Sequence, residues 1–157
     1  MKHLSAILIF ILVLMNLYGC YSKSSELIEL KLYAFRENNN FVIKVSTNLG
    51  DGVLIRYEVE GIKDGWGYIP IKNRMGEVKI ENVSERTYDD RKEEYFTVKV
   101  RFEPFVMNPS QQPKWLAEKY GYFNEKLNGM KKTEDTSIGY LKEEQGIKVI
   151  EASTTIE

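Results

Sequence analysis

YFTVKVRF, residues 95 to 102, decides how this chain folds. Phe96, Val98, Val100 and Phe102 are apolar, and Thr97, Lys99 and Arg101 between them are polar. Successive side chains of a strand point to opposite faces, so strict alternation marks a strand with one dry and one wet face. The same period recurs upstream. In FVIKVST (41–47), Phe41, Ile43 and Val45 oppose Lys44 and Ser46. In VLIRYEVE (53–60), Val53, Ile55, Tyr57 and Val59 oppose Arg56, Glu58 and Glu60. LIELKLYAF (27–35) and VKIENV (78–83) alternate less regularly, and GIKVIEAST (146–154) supplies a last strand.

The breaks between these runs carry turn residues. Asn38-Asn39-Asn40 separates the first two strands, and Asn48-Leu49-Gly50-Asp51-Gly52 the next two; both read as hairpin links. Residues 61–67 hold three glycines and an Asp around Trp66, and Gly67 to Ile71 then reads as a short edge strand. Proline cannot donate to a central ladder, so Pro70 belongs at an edge. Short strands at this spacing predict a mainly β fold, an immunoglobulin-like antiparallel β-sandwich spanning residues 27–157. The cysteine–tryptophan–cysteine signature of antibody domains is missing, so the expectation rests on strand pattern.

Residues 108–142 interrupt the β rhythm. NPSQQP (108–113) places Ser110 as a helix start, and Leu116, Tyr120, Phe123 and Leu127 recur at helical spacing. Gly121 lies inside that run and is a natural stop. This reads as a short helical excursion before the last strand, docked on the sandwich by Trp115, Leu116 and Tyr120. GMKKTEDTSIG (129–139) reads as polar loop.

The N-terminus answers a different question. Met1-Lys2-His3 is basic, residues 4–15 are apolar except Ser5, and Asn16 ends the run. A charged start, an apolar core of roughly 7–15 residues and a small residue before the cut describe a signal peptide. A retained membrane helix needs about 20 apolar residues, which this run does not supply. Leu17-Tyr18-Gly19-Cys20 resembles the lipobox of bacterial lipoproteins, with an aliphatic residue three places before the cysteine and a small residue next to it. Tyr18 departs from the pattern, where Ala or Ser is commoner. The resemblance implies cleavage after Gly19, a diacylglyceryl group on the Cys20 sulfur and an address on the outer side of the cell membrane. It covers only the first twenty or so residues. Each buried methylene contributes about 0.8 kcal/mol, so two acyl chains hold where one is marginal. Residues 20–26 then form a short polar tether.

Composition narrows the chemistry. Of 157 residues, one is Cys and one is His, namely Cys20 and His3. With the leader gone, no His-assisted or cysteine nucleophile and no His or Cys ligand for zinc or copper is left. No glycine-rich phosphate loop occurs. Loss of Lys2 leaves two more acidic than basic side chains, with signs interleaved, so no nucleic-acid partner is expected. No cofactor or metal is expected either.

Among candidate contact residues, Trp66, Tyr68, Trp115 and Tyr120 come first, with Tyr122 and Phe123 beside them. Aromatics near loops serve as platforms for sugar rings or peptides, and equally as the bulk of a small core. Asp51, Asp64, Asp89 and Asp90 are oxygen donors in loops, although tight turns explain Asp51 and Asp64 without a cation. Asn82-Val83-Ser84 is a formal glycosylation acceptor, a chance match if the chain is bacterial as the lipobox resemblance implies. The expected function is a membrane-anchored binding or interaction module that meets an envelope protein or a wall polymer. The alternatives are a carboxylate-based enzyme acting on wall glycans and an inhibitor or assembly factor.

Overall fold

The structure, a computed structural model, describes residues 26–87, 95–104, 112–121 and 123–157. The leader, Cys20, most of the tether, Asp89, Asp90, Asn108 to Ser110 and Tyr122 lie outside those residues.

The alternating runs are strands. β1 (Leu30–Glu37), β2 (Asn40–Thr47) and β5 (Met75–Ile80) form a three-stranded sheet in the order β1-β2-β5. β3 (Leu54–Val59), β4 (Trp66–Pro70), β6 (Phe96–Phe102), β7 (Tyr140–Glu144) and β8 (Ile147–Ile156) form a five-stranded sheet in the order β4-β3-β6-β8-β7. All pairings between these strands are antiparallel. Two short helices, α1 (Val83–Arg86) and α2 (Trp115–Tyr120), complete the elements among the described residues.

The dry faces meet in one core. Leu30, Leu32, Ile43 and Val45 come from one sheet, and Ile55, Val98, Val100, Phe102 and Ile150 from the other. Phe41 meets Phe96 edge-on with ring centroids 4.9 Å apart. The alternation in 95–102 is realised in full: Phe96, Val98, Val100 and Phe102 are buried and Thr97, Lys99 and Arg101 are only half covered. The chain is therefore mainly β, with two antiparallel layers, as expected.

Four details differ from the sequence reading. Residues 48–52 do not close a hairpin, because β2 pairs with β1 and β5 while β3 lies in the other sheet. The stretch is a crossover, and alternation alone cannot tell which strands pair. The strand read over 78–83 stops at Ile80, and Val83 opens α1 behind Asn82, whose φ of 53° turns the chain. The helical period fails after Tyr120: Gly121 adopts φ 85° as the cap, Leu127 is buried from a loop, and Phe123 is 70% exposed. Lastly, β7 begins at Tyr140, inside the segment read as excursion. YLKEE has only weak alternation, and its partner is chosen by the Gln145-Gly146 turn, both residues of which have positive φ.

The rest of the excursion closes one side of the sandwich. Leu32 N donates to Ser137 O at 2.9 Å and Gly139 N to Leu30 O at 2.6 Å, while Ser153 N donates to Thr136 O at 2.8 Å. Residues 136–139 thus bond to β1 of one sheet and β8 of the other.

Candidate functional site

The outer face of the five-stranded sheet gathers most of the chemistry. Register sets Tyr68, Arg56, Arg101, Glu151 and Tyr140 in one line across β4, β3, β6, β8 and β7. Its two ends differ.

At the β4 end, no strand among the described residues pairs with the outer side of β4. Val59 N donates to Gly65 O at 2.6 Å and Ile71 N to Val53 O at 2.8 Å, on the two flanks of the β3–β4 pair. Antiparallel alternation then turns the backbone groups of Gly67 and Ile69 toward β3 and those of Trp66 and Tyr68 outward. Tyr57 lies over Gly67, where a Cβ would come within 2.8 Å of its ring, so a side chain there would displace the edge. Trp66 is 59% exposed, opposite Glu58, and Tyr68 is half covered opposite Arg56.

At the β7 end the charges satisfy one another. Glu151 is only 5% exposed, although it points away from the core. Arg101 Nε donates to it at 2.6 Å, Tyr140 Oη at 3.1 Å and Lys142 Nζ at 3.2 Å. Glu144 completes the group, receiving Arg101 at 3.1 Å and Lys142 at 2.6 Å. Burial pushes the Glu151 carboxyl up, but the hydrogen bond and charge of Arg101, with Lys142 behind them, hold it below its ordinary value. Glu144 is held down first by its Lys142 hydrogen bond, with Arg101 adding to it against some desolvation. A glycan-cleaving pair needs one carboxyl raised so that it carries a proton. Here both are lowered, so this pair stores charge and ties β6, β7 and β8 together.

The aromatic candidates are not brought together. Trp66 sits opposite Glu58 at the far end of β3. Trp115 packs at 3.6 Å from the Cβ position of Gly50, before β3 begins, and is 37% exposed. Tyr120 is 2% exposed and meets Phe102 edge-on at 5.8 Å, so it belongs to the core. Only Trp66 and Tyr68 share a surface.

The acidic loop residues also separate. Asp51 Oδ1 accepts from Asn73 N at 2.7 Å, tying the crossover to the turn after β4. Asp64, with φ 51°, offers its carbonyl to Arg86 Nη2 at 2.6 Å at the other end of β3. Among the described residues no group of three or more His, Cys, Asp or Glu side chains is placed to hold a metal ion. No helix among them is long and apolar enough to cross a membrane.

Sequence reasoning missed the Arg101–Glu151–Lys142 group. Each residue sits at an outward position of its strand, but only register reveals that they meet. Comparison of the chain with known protein families, curated proteins and solved structures gave no match.

Proposed function

We propose that this chain is a lipoprotein of the cell envelope, held outside the cytoplasm by acyl chains on Cys20, whose body binds a partner along the β4 edge. The observation that carries the address is Leu17-Tyr18-Gly19-Cys20 at the end of an apolar leader, ten residues before β1 opens at Leu30. The strand order supports an immunoglobulin-like reading of the body. With β1, β2, β3, β4, β5, β6 and β8 taken as A, B, C, C′, E, F and G, the sheets read A-B-E and C′-C-F-G. β7 is then an added strand outside G.

The binding reading rests on the edge. β4 offers outward backbone groups at Trp66 and Tyr68 beside two aromatic side chains, which suits an added extended segment of a partner. Its short length and Pro70 limit edge-to-edge pairing with further copies.

Growth on labelled palmitate tests the address: the native chain takes up label and stays with membranes, and Cys20→Ser does neither. An unlabelled native chain overturns it. Capture of solubilised envelope fractions tests the edge. Trp66→Ala is expected to weaken retention of the captured protein or wall polymer about thirtyfold, as loss of a tryptophan anchor does. Equal retention by native and variant chains counts against β4.

A further inference from the structure

We infer that the outer face of the three-stranded sheet lies on the bilayer, with Lys31 and Arg74 on the phosphate groups of anionic lipids and Tyr33 and Phe35 at the headgroup level. This rests on the lipid-anchor reading. Cys20 and Glu26 are six residues apart, a span of at most about 20 Å. Glu26 pairs with Lys119 of α2 at 3.0 Å and Ile28 N donates to Asn128 O at 3.0 Å before the chain enters β1, the edge strand of this sheet, so the anchor holds the start of β1 close to the membrane.

The face has the composition of an interfacial surface. Tyr33, Phe35 and Met75 point outward from β1 and β5 and are each between 43 and 53% exposed. Between them Lys44 lies 5.7 Å from the Phe35 ring centroid and pairs with Glu77 at 3.0 Å. Aromatic side chains flanked by lysines are the usual residents of the membrane–water boundary.

The tether end of the same face holds a polar cleft of about 150 Å³ lined by Glu29, Lys31, Ser46, Thr47, Asn48 and Arg74. Thr47 and Asn48 are spent on the backbone: Thr47 Oγ1 donates to Glu29 O at 2.6 Å, and Asn48 Nδ2 to Leu27 O at 2.8 Å. Among the described residues neither Lys31 nor Arg74 forms an ion pair. Glu29 is the one acid on the wall, so the cleft has one surplus positive charge.

Arg74 stands where an arginine is not cheap. Lys72 and Met75 exchange backbone hydrogen bonds at 2.9 and 3.1 Å around Asn73 and Arg74, whose φ values are 52° and 65°. That two-residue turn favours asparagine and then glycine. A guanidinium at the glycine position, beside an unpaired lysine and a serine, is strain kept for a contact outside the chain. By contrast, the outer face of the five-stranded sheet has its Arg101, Lys142 and Lys99 paired internally.

Full lipidated chain in vesicles of phosphatidylglycerol and phosphatidylcholine with brominated acyl chains tests the orientation. Cys20 is the only cysteine, and its sulfur is occupied when acylated, so one introduced cysteine takes a fluorescent label alone. A label at Tyr33→Cys or Phe35→Cys is expected to be quenched several-fold more than one at Thr155→Cys on the opposite sheet. Adding Lys31→Glu and Arg74→Glu lowers the face-down population on these vesicles by about tenfold or more. Vesicle flotation separates the two readings. A chain that does not float overturns the anchor and this orientation with it. A chain that floats while all labels quench alike, or whose quenching ignores the charge reversals, overturns the orientation alone. A label at 33 that is shielded from water but untouched by bromine means a protein covers the face, and overturns it too.

Discussion

At the scale of single residues, Glu151 is a nearly buried carboxylate on the outer face of the five-stranded sheet. Its carboxylate has three donors and almost no water, so removing its charge leaves Arg101 and Lys142 short of an acceptor. Glu151→Gln is expected to lower stability by about 1–3 kcal/mol at neutral pH, read from urea unfolding. The pH dependence has a definite sign. Glu151 and Glu144 both titrate below their ordinary value of 4.5 when folded. The folded chain then binds fewer protons than the unfolded one, so their stabilisation is complete above pH 4.5 and is lost as pH falls through the folded values. On the alkaline side, Lys142 is raised above 10.5, chiefly by its hydrogen bond to Glu144. Its share is complete below that value and lost as pH rises through the folded one. The native chain should therefore lose stability in acid faster than Glu151→Gln, and the gap between them should narrow as pH falls below 4.5. A gap that stays constant from neutral pH into acid would show that Glu151 stabilises through packing, not charge.

Elements are held by substitutes for missing strand partners. β6 ends at Phe102, one step before it would pair with Leu54 of β3. The Gln112 side chain takes its place: Leu54 N donates to Gln112 Oε1 at 3.0 Å, and Gln112 Nε2 donates to Leu54 O at 2.9 Å. Gln112→Ala strips both bonds from one backbone unit, and unfolding should report a loss of about 1–3 kcal/mol. The turn at Asn73-Arg74 predicts the opposite sign. Glycine relieves the positive φ, so Arg74→Gly should raise stability by about 1 kcal/mol while weakening the face-down orientation on anionic vesicles. A variant both more stable and unchanged on vesicles would strip Arg74 of its role. These two elements also mark what sequence could tell. The strands of 41–47, 53–60 and 95–102 were legible because one wet face forces alternation. Gln112 was not, because its role depends on where β6 stops. The edge strand at Tyr68 was legible through Pro70, although it starts one residue earlier, at Trp66; the docking of Leu116 and Tyr120 was legible from helical spacing, whereas the exposure of Phe123 was not, since spacing says which residues share a side and not what covers it. Lys31 and Arg74 are far apart in sequence, and only the β1–β2–β5 register brings them to one cleft.

For the whole molecule, a two-sheet body leaves open sides, and β1 and β8 face each other across one of them. Residues 136–139 bond to both strands and turn two sheets into a closed wall on that side. The strap can approach only because Gly139 has no side chain: a Cβ there would lie 2.6 Å from Leu30 Cβ and 3.0 Å from Leu30 O. Leu30 is 1% exposed and cannot retreat without opening the core. Gly139→Ala must therefore push the strap off β1, at a cost of about 1–3 kcal/mol. The effect should be local first. The Leu32 amide, which donates to Ser137 O, should exchange with deuterium much faster, while amides in the β6–β8 ladder keep their protection up to the global limit. An uncovered β1 is also a template for pairing with another copy, so the variant should self-associate with rising concentration where the native chain does not. Uniform loss of protection across both sheets would mean that the strap is one cooperative unit with the core, and not a separable cover over β1.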